Sequence, residues 1–465
     1  MGAWAGGADS SGYLNSARLL AHGEISAAIR PVAGVDAETL PGYGDYIYTP
    51  LGFRPTDVGG LISPIYPIGL PLLIVAVAGM TNWIYAAGLT VGIHAILGVL
   101  LVYALGRESG LSRGWSALGC VLLGLSPLYH FMSLQMMSDV PALVWATGAV
   151  LCAWRARQHP AWAPAAGFAL GFAVLVRPTN ALALLPALIA LGWNAPRLLL
   201  FALGGLPAVA TLARYNLLAY GNIFTIGYFN PADSFALHRV DSTLWFYAIW
   251  LPVLLTPLML AAWLLPWARD LSVRWRLILG SWVLVFFLFY STYVFTHQAW
   301  WFLRFLLPAF PPLIVAALHV LHGYAGRQPG RVSPRLAWIA VALMIFIQGM
   351  AWTRTLRALR VGEDERAYKV TASWLQDHLP PQAIVCTMQD SGALFYYTDF
   401  TLVRSDLLQP DQFRALVQVA HASGRPIYAA LQNFEQDDTF QKHLPGNWAK
   451  VERVRVTTIW KLVSQ

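Results

Sequence analysis

Charged residues are scarce in this sequence, and their scarcity excludes a soluble protein. Asp, Glu, Lys and Arg make up 12% of the 465 residues, and hydrophobic residues make up 57%. A typical soluble chain has about 25% charged residues, which it needs to cover its surface. We therefore expect most of this chain to lie in a lipid bilayer.

Lysine is absent from the first 360 residues. That part holds 21 Arg and 11 acidic residues, a net charge of +10, whereas residues 361–465 hold 10 basic and 12 acidic residues, a net charge of −2. The overall charge of +8 thus comes from arginines beside apolar segments and does not indicate a nucleic-acid partner. The change in composition predicts a membrane body followed by an ordinary polar domain.

Cysteine is rare too. Cys120, Cys152 and Cys386 lie singly, and the sequence has no Cys-x-x-Cys or Cys/His spacing. The sequence therefore predicts neither a disulfide framework nor a structural zinc site. We also expect no cleavable signal peptide, because no basic stretch precedes an apolar core at the N-terminus.

The apolar segments predict a polytopic α-helical membrane protein. We assign three parts to the chain: an outer segment with juxtamembrane helices at 1–82, a membrane body at 83–357 and a small extramembrane α/β domain at 358–465. Residues 66–80 are apolar but short and interrupted by proline, so we expect them to lie at the membrane interface. Ten spans are predicted in the body, at 83–106, 115–130, 139–154, 162–177, 180–193, 197–216, 242–265, 277–297, 301–322 and 336–354.

Arginines predict the orientation of the body. One set of loops holds eleven of them and the other set holds four, so the positive-inside rule makes the first set cytoplasmic. Ten spans then place both the segment 1–82 and the polar tail outside, together with nine of the eleven acidic residues of the first 360. The cluster of Arg354, Arg357 and Arg360 opposes this assignment. The eleven are Arg107, Arg113, Arg155, Arg157, Arg197, Arg269, Arg274, Arg276, Arg327, Arg331 and Arg335.

Two polar regions have their own secondary structure. Residues 9–22 predict a short helix with an apolar face, and residues 364–378 predict an amphipathic helix. The tail is α/β in pattern. Its predicted strands are 383–388, 426–431 and 455–463, with a helix at 411–422.

Asp9 and Asp139 are the candidate carboxylates. Each begins a predicted helix, where aspartate commonly serves only as the N-cap. Helical spacing places Tyr13 on the face of Asp9, one turn later. A carboxylate at a membrane surface can also act as the general base for a hydroxyl acceptor. The residues alone leave both interpretations open.

Arg177 and Arg304 are the candidate phosphate ligands. Both lie on the predicted outer side and break the charge rule, and a guanidinium group matches phosphate geometry. The simpler interpretation is snorkelling to the interface. Arg214 and Arg239 are weaker candidates. His130 and His297 fit packed interfacial residues better than ligands.

Four sequence features resemble the polyprenyl-phosphate-sugar-dependent glycosyltransferases of the GT-C class. The resemblance is to the branch that contains protein O-mannosyltransferases and the aminoarabinose transferase of lipid A. It covers nearly the whole chain. The features are D-x-x-x-Y-x-x-x-A-R-x-L-x-x-G from Asp9, S-P-I-Y-P-I-G-L-P-L-L with Tyr66 and Pro67, S-D-V-P around Asp139 and R-F-L-L-P-A-F-P from Arg304.

This resemblance implies an inverting transfer of a sugar from a polyprenyl-phosphate carrier to an envelope acceptor. Acceptors include a glycolipid such as lipopolysaccharide, a polysaccharide or a protein. Asp9 matches the catalytic base and Asp139 contributes to the same site, while we assign substrate binding to Tyr13, Tyr66, Arg177 and Arg304. The implied location is the bacterial inner membrane, with the active site on the extracytoplasmic side. A GT-C first loop follows an apolar helix, so we expect one to be encoded before Met1.

Two other classes of function are compatible with an apolar chain. A secondary transporter or lipid flippase usually shows repeat symmetry and polar residues at the bilayer midplane. A structural scaffold for an envelope complex is the third hypothesis. No cofactor is required by the sequence; a divalent cation could help to bind the phosphate, but no ligand set for it is legible.

Overall fold

The structure is a computed structural model that describes residues 4–35, 44–225, 227, 234–327 and 334–464. Asp36, Glu38 and Asp233, which belong to the predicted outer acidic residues, lie outside the described residues, as does Arg331.

The N-terminal region is mixed helix and strand. It contains α1 (Ala8–Ala21), β1 (Ala27–Ala28), β2 (Phe53–Pro55), β3 (Leu61–Pro64) and α2 (Gly69–Met80). The three strands form an antiparallel sheet in the order β1-β3-β2. The helix predicted at 9–22 is confirmed as α1. Helix α2 has 12 residues, too few to cross a bilayer.

Apolar helices form the middle of the chain, which confirms a polytopic α-helical membrane protein. Four of the described helices are long and apolar enough to cross a membrane, and seven spans result if each bent pair counts as one. The helices are α3 (Trp83–Glu108), α4 (Arg113–Gly124), α5 (Pro127–Ser133), α6 (Asp139–Arg155), α7 (Trp162–Val176), α8 (Leu184–Leu191), α9 (Ala195–Tyr220), α10 (Val240–Leu254), α11 (Val273–Ser291), α12 (Phe310–Arg327) and α13 (Pro334–Thr355).

Proline breaks two spans that the sequence predicted as continuous. Helices α4 and α5 meet at 63°, with Pro127 at the start of α5. Helix α10 and the 3₁₀ helix Pro257–Trp267 meet at 114°. Proline has no N–H to donate and clashes with the preceding turn, so a new helix begins there. The predicted span 180–193 is likewise divided into a 3₁₀ helix, Pro178–Ala183, and α8.

The C-terminal region is an α/β domain, as predicted. Its sheet has the order β5-β4-β6-β8-β7, with β4 parallel to β5 and β6 and the last three strands antiparallel. The short strand β5 and the edge strand β7 were not predicted. The elements are α14 (Val361–His378), β4 (Ile384–Cys386), α15 (Ser391–Tyr397), β5 (Thr401–Val403), α16 (Pro410–Ala422), β6 (Ile427–Gln432), α17 (Gln436–Lys442), β7 (Asn447–Val454) and β8 (Thr457–Ser464).

Both faces of this sheet are covered, and strand alternation assigns each side chain to a face. Val385 packs with Leu375 of α14 on one face. Ile384 and Cys386 pack with Phe413 of α16 on the other. A parallel strand buried on both sides is typically a continuous apolar run, as I-V-C is here.

The chain divides into two compact units. The polar unit contains residues 1–88, 213–228 and 362–465, so the first segment and the α/β domain, predicted as separate parts, belong together. The helical unit contains residues 89–212 and 229–361. Fully buried side chains such as Trp282 and Phe286 of α11 fill its hydrophobic core. Asp9, Tyr13 and Tyr66 lie in the polar unit, and Asp139, Arg177 and Arg304 in the helical unit.

Candidate active site

Asp9 is held in the first turn of α1 by a tyrosine. The N-cap of this helix is Gly7, and the cap makes no side-chain hydrogen bond, so Asp9 is not the capping residue. The Tyr66 hydroxyl donates a 2.7 Å hydrogen bond to Oδ1 of Asp9. Asp9 as a whole residue is half-buried. The N-cap interpretation of Asp9 is thus not supported.

A glycine in α1 allows Tyr66 to reach the carboxylate. A Cβ atom at Gly12 would lie 2.2 Å from Cε2 of Tyr66, well inside contact distance. The Tyr66 ring also packs against Tyr13, with 4.9 Å between ring centroids. The spacing of Asp9, Gly12 and Tyr13 in the sequence thus fits one helix face on which a tyrosine from a distant loop is seated.

Helix α1 is fixed to the α/β domain within the polar unit. Nδ2 of Asn15 donates to the carbonyl of Gly392 at 3.1 Å, and Nη1 of Arg18 donates to the carbonyl of Tyr396 at 2.7 Å. The Arg18 guanidinium also lies 4.7 Å from the centroid of the Tyr396 ring. These contacts join α1 to α15, so the domain positions the helix that carries Asp9.

Glu365 of α14 lies close to Asp9, and the sequence did not reveal this neighbour. Its carboxyl accepts a hydrogen bond from the Ser10 hydroxyl, next to Asp9. A Cβ atom at Gly6 would overlap Oε2 of Glu365, so the glycine leaves room for the carboxyl. The pKa of Glu365 is raised to about 7, mainly by burial and to a smaller extent by the charge of Asp9, although the hydrogen bond from the Ser10 hydroxyl acts in the opposite direction. Two carboxyl groups therefore flank the start of α1.

Asp139 forms an ion pair in the helical unit. It occupies the first position of α6, after the N-cap Ser138, and the cap makes no side-chain hydrogen bond. Nη1 of Arg177 donates to Oδ1 of Asp139, and the two side chains are 14% and 3% exposed. Arg177 ends α7 in an extended conformation, which the following Pro178 favours. A buried ion pair of this kind has an orienting role that a helix cap does not have.

An aromatic ring brings Arg304 to the same place as Arg177. The guanidinium carbons of Arg177 and Arg304 lie 4.9 Å and 5.2 Å from the centroid of the Phe305 ring. Tyr290 stacks on Phe305 at 5.3 Å, and its hydroxyl donates to Oγ1 of Thr179 at 2.6 Å. The helical unit thus gathers two guanidinium groups, one carboxylate and aromatic rings.

The remaining candidates have local roles. Arg239 donates to the carbonyl of Ser234 at 3.1 Å. Nδ1 of His130 lies 3.3 Å from Oγ1 of Thr353. Within the described ranges, the side chains of Arg214 and His297 form no hydrogen bond or ion pair. Within the part of the chain that the structure describes, no three His, Cys, Asp or Glu side chains come together as a metal site would require.

Comparison with known proteins places this geometry in a known fold. The family model of dolichyl-phosphate-mannose-protein mannosyltransferase matches residues 85–218, a stretch that includes Asp139 and Arg177. By sequence alone, no curated protein matches the chain significantly.

Two solved structures of ArnT from Cupriavidus metallidurans are similar to the chain. The one bound to undecaprenyl phosphate has a TM-score of 0.55 at 14% identity, with coverage of 86% of this chain and 88% of ArnT. The apo structure has a TM-score of 0.53 at 14% identity, with coverage of 97% and 96%. The arabinofuranosyltransferase AftD from Mycobacteria has a TM-score of 0.50 at 13% identity, with coverage of 98% of this chain and 40% of AftD. The predicted fold class is confirmed: this chain has the GT-C fold.

Proposed function

We propose that the protein is a membrane glycosyltransferase that moves a sugar from a polyprenyl-phosphate carrier to an envelope acceptor. The observation that supports this most directly is the half-buried Asp9 carboxylate, held by Tyr66 at the start of a helix in a GT-C fold. An ArnT with this fold binds undecaprenyl phosphate.

Asp9 is the general base in this proposal. The acceptor hydroxyl is a poor nucleophile, and its proton must leave as its oxygen bonds to the anomeric carbon. Asp9 takes that proton while the bond from the anomeric carbon to the carrier phosphate breaks, and the polyprenyl phosphate departs with the electron pair. A positioned base contributes about 10²- to 10⁴-fold to the rate. One carboxylate and a single displacement would invert the anomeric centre.

Arg177 and Arg304 bind the carrier phosphate in this proposal. Negative charge increases on the phosphate as the sugar leaves, and guanidinium groups stabilise that charge through charge-assisted hydrogen bonds. Asp139 keeps Arg177 oriented through their ion pair. We name no residues as ligands of a divalent cation, because the described residues offer no cluster for one.

Glu365 positions the base. Its hydrogen bond with Ser10 fixes the first turn of α1, and that turn carries Asp9. We assign no proton transfer with substrate to Glu365. Tyr13 and Tyr66 form the aromatic wall beside Asp9 and are proposed to contact the acceptor or the sugar.

A donor-consumption assay tests this function. Membranes that contain the protein should release polyprenyl phosphate from a labelled polyprenyl-phosphate sugar when an envelope extract supplies acceptors. Asp9→Asn should lower kcat by about 10²- to 10⁴-fold, because the amide still accepts from Tyr66 but cannot take a proton. Asp57→Asn, at an exposed aspartate of the same segment, is the matched control. A folded Asp9→Asn protein with full activity would refute the mechanism, and wild-type membranes that consume no donor would contradict the proposed activity.

We further propose that the polar unit faces the extracytoplasmic side of a bacterial inner membrane. The support is the eleven-to-four distribution of arginines between the two sets of loops. Reporter fusions or cysteine labelling at positions 110, 160 and 272 should report cytoplasm, and labelling at position 57 should report the outside. External labelling at two of the first three positions contradicts this orientation. The anomeric configuration of the isolated product, measured by NMR, tests inversion and identifies a hexosyl or pentosyl group.

A further inference from the structure

Arg354, Arg357 and Arg360 surround one cavity at the end of the last apolar helix. Helix α13 ends at Thr355, and a 3₁₀ helix follows at Ala358–Arg360. The cavity has a volume of about 330 Å³, and its lining consists of Thr353, Arg354, Arg357, Leu359 and Arg360. None of the residues around Asp139 contributes to it, so it is not part of the site described above.

No described side chain forms an ion pair with these arginines. The structure shows no ion pair, hydrogen bond or ring contact from any of the three guanidinium groups to a described residue. All three are exposed. Three like charges around one cavity repel each other, so a bound anion would stabilise this arrangement.

The local backbone directs the arginines toward the cavity. Arg357 has a φ of 52°, in the left-handed region that non-glycine residues rarely adopt. The turn at this residue ends α13 and allows Arg354 and Arg360, which lie on different helices, to line the same space. Attraction to the negative end of a helix dipole accounts for Arg354 in the last turn of α13, but it does not require all three arginines to line one cavity.

We propose that these three arginines bind the phosphate of a lipid headgroup. Guanidinium groups match phosphate oxygens in pairs, and basic clusters at the polar end of a membrane helix recognise anionic lipids. The volume suits a phosphate with a small alcohol attached, and Leu359 supplies an apolar wall. The site would hold an anionic membrane phospholipid at the end of α13. It does not depend on the transferase activity.

Native mass spectrometry of the full-length protein tests this proposal. The protein is released from nanodiscs of phosphatidylcholine that contain 10–20% phosphatidylglycerol (roughly one lipid in five to ten, to keep non-specific binding low). We expect one retained phosphatidylglycerol per chain. Arg354→Gln/Arg357→Gln/Arg360→Gln should lower its apparent affinity by more than about tenfold, since charge-assisted contacts are lost.

A matched control separates a site from general attraction. Arg113→Gln/Arg269→Gln/Arg274→Gln removes the same charge from three exposed arginines that do not line this cavity. This control should retain the lipid. Equal loss in both triple variants would overturn the proposal in favour of surface electrostatics, and so would wild-type protein that retains no phosphatidylglycerol above phosphatidylcholine.

Two further arms identify the source of the phosphate and guard against misfolding. Millimolar inorganic phosphate should compete weakly; if it binds as tightly as the lipid, a lipid headgroup is not what the site selects, and the proposal is wrong. The triple Arg→Lys variant keeps the charge and lacks the planar fork, so it should retain the lipid with intermediate affinity. Affinity equal to wild type in this variant would contradict recognition by guanidinium pairing.

Discussion

Asp9 and Asp139 both lie in the first turn of a helix, but different groups hold them. A neutral phenol donates to Asp9, whereas a guanidinium group pairs with Asp139. Asp9 is half-buried, whereas Asp139 is buried. An acceptor can approach the first carboxylate more readily than the second. We therefore assign basicity to Asp9 and the orientation of Arg177 to Asp139, although the sequence assigned catalysis to both.

This difference predicts distinct kinetics for Asp139→Asn. Loss of the carboxylate leaves the buried Arg177 guanidinium without its ion pair, which is costly and should displace it from the Phe305 ring. We expect the KM for the donor to rise by about 10- to 100-fold with a smaller change in kcat. Arg304→Ala should give the same pattern, and Arg304→Lys should restore it only in part.

Steady-state kinetics with the purified protein measure this effect. Asp241→Asn, at an exposed acidic residue in the first turn of α10, is the control and should be silent. A fall in kcat with an unchanged donor KM would instead give Asp139 the role of a base.

At the scale of elements, α1 contains a glycine that lowers its helix propensity but allows a close contact with Tyr66. Glycine inside a helix costs about 1 kcal/mol relative to alanine. Gly12 nevertheless lies in the middle of α1, because the Tyr66 ring packs against the helix there. Gly52, with a φ of 89°, also lies close to Gly12. A Cβ atom added at Gly52 would be 3.2 Å from the Cα of Gly12. The glycine in α1 is therefore explained by the contact with Tyr66 and not by the stability of the helix.

Gly12→Ala should therefore lower activity without unfolding the protein. The new methyl group would displace the Tyr66 ring and break its hydrogen bond with Asp9, so we expect kcat/KM to fall by about tenfold or more. Tyr66→Phe, which keeps the ring and removes only the hydroxyl, should have a smaller effect. Gly114→Ala, where a Cβ atom meets open space, is the control. Wild-type kinetics in a folded Gly12→Ala protein would show that Tyr66 does not position the base.

Local patterns explain which elements could be predicted. Apolar residues that recur every 3.6 positions predicted α1, α14 and α16, and short apolar runs predicted three strands of the larger sheet. The short strand β5 and the proline breaks within apolar runs were missed, because hydropathy does not register a bend. The pairing of Arg177 with Asp139 joins residues 38 positions apart, and that of Glu365 with Ser10 joins residues 355 positions apart. No local signal carries such contacts.

At the scale of the whole molecule, the N-terminal and C-terminal segments of the chain fold into one unit. The first 88 residues and the last 104 form one unit, although about 270 residues lie between them. Asn15, Arg18 and Ser10 of α1 all contact the C-terminal region. The α/β domain therefore positions the helix that carries Asp9.

Within the polar unit, buried carboxyl groups lie at the carboxyl ends of the parallel strands. Asp390 accepts hydrogen bonds from Gln432 at 2.7 Å and from Thr457 at 2.6 Å. Glu435 accepts from the backbone N–H of Gln432 at 2.7 Å. Burial raises the pKa of Asp390 to about 6 and that of Glu435 to about 7, as it does for Glu365. These groups are protonated more readily in the folded protein than in the unfolded chain.

The polar unit should therefore lose stability as the pH rises. Between the ordinary carboxyl pKa values near 4 and the raised values of about 6 to 7, the folded state binds more protons, so the free energy of unfolding falls with pH and levels off above about 7. We expect a loss on the order of 3 kcal/mol between pH 5 and pH 8.

Hydrogen exchange of the β4 and β6 amides in the detergent-solubilised protein, corrected for intrinsic exchange, measures this loss of stability. Asp390→Asn with Glu435→Gln should flatten the profile, whereas Asp438→Asn, at an exposed residue paired with Lys442, should leave it unchanged. A stability of the polar unit that increases from pH 5 to pH 8 would show that these carboxyls are charged in the folded protein.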